Sequence, residues 1–279
     1  MLFADDAKIF NTSSMDLQHS LNSFSAWLNS RQLHLACEKC FILNINKRPK
    51  QIPQTNLTIN DQQLSSKVVA KDLGVFITQD LKWNYHVSYL YRISSQVSYQ
   101  IRKTFKTRNI WTLLKLYLTY IRPKLEYSTP VWSPYLKKDI MKIESVQKVF
   151  TKFACLRCSV SFSSYKDRLL FLNLKTLEYR RIVFDLVFLF KIIKGQTNLN
   201  FSDFFVNRNL PFNLRGSKLK ITPLLSFQTS QWQGSFFNRV VTIWNSLPNE
   251  ITSSESLGVF KRKLNKFDLS TVSKFTVDS

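Results

Sequence analysis

The feature that most limits what this chain can become is a change of hydrophobic period near Asn84. Before it, apolar residues come in short runs broken by turn formers, and such runs can be buried only as strands beside neighbouring strands. Leu33 to Ala36, Cys40 to Ile45, Leu57 to Ile59, Val68-Val69 and Gly74 to Ile77 read this way, with Asn60-Asp61 as a turn and the polar, proline-punctuated stretch 46–56 as a loop. One helix interrupts them: Leu17, Leu21, Phe24 and Leu28 share a face behind Ser13 or Ser14 as N-cap. After Asn84 the spacing becomes helical. Val87, Leu90, Val97 and Ile101 make one stripe, and Ile110, Leu113, Leu114, Tyr117 and Ile121 make a second that Pro123 is expected to stop. Ile140, Ile143, Val146, Phe150 and Phe153 predict a helix over 137–156. A long helix over 176–194 is closed by Gly195, 196–216 reads as loop and 218–231 as one or two strands. Helices over 236–244 and 257–264 complete the reading. The fold class is α+β: a small antiparallel sheet with one packed helix, then a mostly helical remainder.

At the start of the chain, Leu2-Phe3-Ala4-Asp5-Asp6-Ala7-Lys8-Ile9-Phe10 sets two adjacent acids between strand-forming residues. The pattern predicts a tight hairpin with Asp5 and Asp6 at its tip. Such a tip offers hard oxygen ligands to Mg²⁺, which takes one or two carboxylates from a protein and the rest from water and phosphate. It is equally the pattern of a solvated turn, where Asp is common for local reasons.

Phe3-Ala4-Asp5-Asp6 resembles the aromatic-Ala-Asp-Asp signature of reverse transcriptases. Further stretches, in the same order, resemble the non-LTR (LINE-type, jockey-like) retrotransposon branch. They are Leu33-His34-Leu35 with Glu38-Lys39-Cys40; Lys71-Asp72-Leu73-Gly74-Val75 running on to Asp80-Leu81-Lys82-Trp83; Arg122-Pro123-Lys124-Leu125-Glu126-Tyr127 and Val131-Trp132-Ser133-Pro134-Tyr135; and, late in the chain, Leu177-Glu178-Tyr179-Arg180-Arg181 and Trp244-Asn245-Ser246-Leu247-Pro248 with Phe260-Lys261. The resemblance implies a partial polymerase palm over 1–83, a helical thumb-like region over 84–158 and the C-terminal region of the open reading frame over 159–279. It implies RNA-directed DNA polymerase ancestry, with Asp5 as principal metal ligand, Asp6 as auxiliary acid, Mg²⁺ as cofactor, and an RNA template with a DNA primer as partners. Lys39 maps where a cation would ease the charge building on departing pyrophosphate, although a solvated strand-end lysine fits the residue as well. Gly74 maps to a strand turn that grips the primer end, and glycine suits close approach of a phosphate backbone or an ordinary bulge alike.

The charge balance agrees with such partners. Forty Lys and Arg against 18 Asp and Glu leave +22, more than solubility needs, and polyphosphate is the natural counterpart. Arg92, Arg102, Lys103, Lys106 and Arg108 fall mostly off the apolar stripe of the helix after Asn84, so they are either a solvated face or a track for duplex phosphates.

Cys37-x-x-Cys40 and Cys155-x-x-Cys158 lie too far apart for an ordinary zinc ribbon, which leaves free thiols as the expectation. The apolar run 183–193 contains Asp185 and Lys191 and is too short to cross a bilayer, and no leader-like segment opens the sequence. An intracellular protein, in nucleus or cytoplasm and off the membrane, is expected.

In the relatives the partner aspartate strand and the fingers precede the aromatic-Ala-Asp-Asp motif. This sequence does not contain them, and half of a two-metal cradle is expected to be inactive alone. The alternative is a non-catalytic module that holds RNA or DNA through its basic helices.

Overall fold

The computed structural model describes residues 2–3, 6–46, 56–208, 220–227 and 229–269. They form a mixed α/β chain, mostly helical, with sheets of two strands, divided into two compact units at residues 82 and 83.

In the first unit, β1 (Leu2–Phe3) pairs with β2 (Asp6–Ala7), Phe3 opposite Asp6. Helix α1 (Ser14–Ser30) follows, its first turn capped by the Ser13 side chain, which accepts from the Asp16 N–H. Leu17 and Leu21 of this helix pack on Ile42, Leu57, Ile59 and Leu64, so the anticipated stripe is the one that meets the strands. Its amide Gln18 extends the contact: Nε2 donates to the Thr58 carbonyl at 2.8 Å while Oε1 accepts from the Thr58 N–H at 2.9 Å.

Strand pairing differs from expectation. Leu33 to Ala36 is not a strand. The chain leaves α1 through Gln32 at φ 56°, with Leu33 N–H bonded back to Leu28 O, and then passes into a short 3₁₀ turn at Cys37–Lys39. Leu35 packs, partly buried, against the cluster without a ladder, while Leu33 stays half exposed. Nor do the described strands form one antiparallel sheet. β3 (Phe41–Ile42) runs parallel to β6 (Ser65–Ser66), β4 (Thr58–Ile59) pairs only with β5 (Gln62–Gln63), and β7 (Val69–Asp72) only with β8 (Val75–Thr78). Two-residue turns close the last two hairpins on themselves, with positive φ at Asn60 and Asp61 and at Leu73 and Gly74, the geometry that matches the strands' own twist.

The second unit opens with α2 (Asn84–Thr104), whose inner face buries Val87, Leu90 and Ile101 together with His86, Ser94 and Ser98. After α3 (Ile110–Leu116) the chain does not stop at Pro123. Residues Tyr117–Ile121 widen into a π turn, Arg122 N–H reaching back to Tyr117 O, and α4 (Arg122–Glu126) carries the proline in its first turn, where no amide hydrogen is needed. A short α5 (Thr129–Trp132) sets Trp132 fully in the core, its indole donating to Tyr127 O at 2.7 Å.

The long α6 (Lys137–Arg157) packs along α2 and buries Ile140, Ile143, Val146 and Phe150. A full capping box between Ser164 and Asp167 starts α7 (Tyr165–Phe171). Helix α8 (Leu177–Ile193) then runs through the middle of the apolar core, ended by Gly195 at φ 63° with the paired bonds Gly195 N–H to Ile192 O and Gln196 N–H to Lys191 O.

Around α8 gather the strand pair β9 (Phe205–Arg208) and β10 (Lys220–Pro223) and the helices α9 (Ser230–Gln233), α10 (Phe236–Ser246), α11 (Asn249–Thr252) and α12 (Leu257–Lys266). Trp244, Phe190 and Phe260 are fully buried there, and the Phe190 and Phe260 rings stack at 4.4 Å.

Candidate nucleic-acid interface

The acid pair comes first. Asp6 is exposed and is the first residue of the returning strand opposite Phe3, so it flanks the hairpin bend, while Asp5 lies outside the described residues. Nearby, Lys8 forms an ion pair at 2.5 Å with Asp72, the last residue of β7, which ties the segment after the acids to the β7–β8 hairpin. Gly74 sits exposed in the two-residue turn of that hairpin, and Lys39 is exposed at the end of its 3₁₀ turn. Among the described residues no three His, Cys, Asp or Glu side chains gather as metal ligands would. Asp6 alone supplies a single hard ligand.

The cations are better organised. Arg102 and Lys103 lie in the last turn of α2, and Lys106 and Arg108 follow in the exposed link to α3. Arg92 is exposed about 15 Å up the same helix, its guanidinium 5.6 Å from the Tyr89 ring centre. Four of the five anticipated basic residues thus lie at one end of α2, and Arg92 stands apart from them.

Helix α6 contributes more, through cations that the sequence sets between and just after the residues of its inward stripe. Arg157 Nη1 donates to the carbonyls of Arg102 at 3.2 Å and Phe105 at 2.5 Å, closing the C-terminal end of α2 where partial negative charge collects. Arg102 and Arg157 both face the ring of Phe153, at 5.6 and 4.6 Å. The negative face of the ring eases these two like charges. Lys142 reaches across to α2, donating to Ser88 Oγ at 2.9 Å.

The acids of this region face inward. Residues 84–158 hold fourteen Lys and Arg and three acids, a surplus of 14 − 3 = 11. Ten of those cations are exposed and none of the acids is. Glu126 is bound by both Nε and Nη2 of Arg180 and lies 3.8 Å from Arg122. Asp139 is buried, which pushes its pKa up.

Glu144 is 1% exposed and accepts from Tyr165 OH at 2.7 Å, the Leu177 N–H at 2.8 Å and Gln147 Nε2 at 3.2 Å. Burial raises its pKa, while those bonds and the nearby Arg181 pull it back. The exposed charges contributed by residues 84–158 are consequently all positive.

The cysteines are free thiols. Cys155 is buried and Cys158 half-buried at the end of α6, and burial raises both thiol pKa values; Cys40 is raised for the same reason, with Cys37 adding to it. No helix among the described residues is long and apolar enough to cross a membrane.

No family model and no solved structure matches the chain. It is similar to the Caenorhabditis elegans "Uncharacterized protein B0403.1", 30% identical over 125 residues, which is 45% of this chain and 63% of that protein.

Proposed function

We propose that this chain is part of a non-LTR retrotransposon reverse transcriptase: a palm segment carrying the Asp5-Asp6 pair, a thumb-like basic helical region over 84–158 and the C-terminal region that follows. Its task in that reading is to hold an RNA template and DNA primer, while nucleotidyl transfer depends on a second aspartate strand supplied by further sequence. The ordered run of motifs from Phe3-Ala4-Asp5-Asp6 to Trp244-Asn245-Ser246-Leu247-Pro248 supports the ancestry. The observation that carries the binding role is the inward placement of Glu126, Asp139 and Glu144, which leaves ten exposed cations with no exposed acid among them. Phosphate backbones bind such a surface by releasing condensed counterions.

The test is primer extension with Mg²⁺ on an RNA template, comparing this chain with a version joined to fingers and a first palm strand from a related element. The joined protein is expected to extend the primer and to lose that activity in D5N/D6N, whereas the chain alone is expected to bind without extending. If the joined protein is inactive, or D5N/D6N leaves it active, the polymerase reading is wrong. A second reading, a binding module without chemistry, is favoured by the cationic surface lying in the second unit while Asp6 belongs to the first. Binding by the chain with an inactive joined protein selects it.

A further inference from the structure

Where α2 and α6 end, the basic surface is not uniformly polar. Val149, Lys152, Phe153, Leu156 and Arg157 line a shallow hollow of about 500 Å³, a size within the range of about 300–1,000 Å³ typical of small-ligand sites. Its floor is apolar and open: Val149 keeps 53% of its surface exposed and Leu156 61%. Its rim is cationic. Arg102 and Arg157 flank the Phe153 ring, and Arg157 is fixed by its two bonds to backbone carbonyls, so its charge is held in place before any ligand arrives.

Phosphate recognition alone explains the rim and leaves the floor unexplained. Duplexes keep their base faces stacked inside, so a duplex offers this floor only sugar and phosphate edges. An unpaired base offers a flat apolar face with a phosphate on either side, which is the same sequence of apolar and anionic groups that the hollow complements. Stacking and apolar contact of this kind accept any base, because every base has a π-face.

We propose that the hollow seats an unpaired base of single-stranded nucleic acid, with the flanking phosphates held by Arg102, Lys152 and Arg157. The proposal rests on the nucleic-acid-binding reading above and adds to it that the site distinguishes single strands by their bases.

Fluorescence anisotropy with a labelled oligo(dT) and an abasic oligomer of equal length and charge tests it, on the full chain and on V149Q/L156Q. Both substitutions are at exposed positions and change no charge, and unchanged circular dichroism verifies the fold. The wild type is expected to bind oligo(dT) about tenfold more tightly than the abasic strand. V149Q/L156Q is expected to lose that preference while keeping its dependence on salt. Equal binding of the two strands by the wild type, or binding of an RNA–DNA duplex but of neither strand, overturns the hollow and leaves the nucleic-acid reading standing, whereas no binding of strand or duplex overturns the reading itself. Loss of binding to phosphatidylserine vesicles in V149Q/L156Q, with oligo(dT) preference intact, assigns the floor to a lipid surface and overturns the proposal as well.

Discussion

Arg239 grips Asp185 with two parallel hydrogen bonds, Nε to Oδ2 at 2.8 Å and Nη2 to Oδ1 at 3.0 Å, in the core of the second unit. The same guanidinium donates to Gly234 O at 2.9 Å and Pro130 O at 2.7 Å, so one side chain joins α8, α10 and the end of the α9 turn to α5. Asp185 is 2% exposed, and burial raises its pKa against the opposing pull of Arg239. Removing one partner of such a pair strands the other without water. R239A is expected to destabilise the protein by about 3–5 kcal/mol, and R239M/D185L by less, because the double variant strands neither member of the pair, although buried Arg181 then loses one of its opposing charges. Urea unfolding followed by circular dichroism measures both.

That pair also shows where sequence reading stops. Helices α6 and α8 were legible to within one or two residues, because the apolar stripe of α6 and the terminating Gly195 of α8 are local signals. What joins the helices is not local. Arg239 and Asp185 are 54 residues apart, as are Arg180 and Glu126, and Glu144 finds the Leu177 N–H 33 residues away. The cations of the candidate interface could be named from α2 alone, but the inward turn of the acids, which makes the surface one-signed, depends on those distant partners. Pro123 misled for a related reason: a proline forbids a regular turn, and the chain answers with the π turn at Tyr117–Ile121.

His86 gives a pH signature. It is 1% exposed, its ring meets Trp132 edge to face at 4.9 Å, and burial pushes its pKa down to about 4. The unfolded chain takes up this proton near the ordinary value of about 6.5 and the folded chain only near 4, so acidification between those values favours unfolding. Asp139, Glu144 and Asp185, whose pKa values are raised, act in the opposite direction as the pH falls. The contribution of His86 is therefore read as a difference. H86F is expected to gain stability relative to the wild type as the pH drops from 7 to 4.5, measured from urea midpoints. A constant gap between the two proteins across that range would mean that His86 takes up its proton as readily in the fold as in the unfolded chain.

In the first unit, Gln18 bonds directly to the backbone of a strand. Its amide exchanges two hydrogen bonds with Thr58, on the strand that otherwise pairs only with β5. Q18A removes both bonds and leaves the Thr58 backbone to water, an expected loss of about 1–2 kcal/mol. Because the loss falls on the first unit, amide hydrogen exchange should quicken at Thr58 and the β4–β5 turn while α8 keeps its protection. Uniform acceleration through both units would show that the two unfold together.

The clustered cations at the end of α2 make the most direct claim on function. Lys103, Lys106 and Arg108 are exposed, and no hydrogen bond or ion pair involving them is seen among the described residues, so replacing them with glutamine should leave the unfolding midpoint where it is. Each phosphate contact on a duplex contributes about 0.9 to the slope of log affinity against log salt. If all three touch phosphate, K103Q/K106Q/R108Q should flatten that slope by about 2.7 on an RNA–DNA duplex, and R92Q alone by at most about 0.9. The comparison separates a docking surface from a merely soluble one: a surface that only repels other proteins would show a small change, equal per cation removed, wherever on the unit the cations lie. Titrations at several salt concentrations on the triple variant, R92Q and a control such as K191Q/K194Q decide between them, since Lys191 and Lys194 close α8 and lie outside the α2–α6 surface.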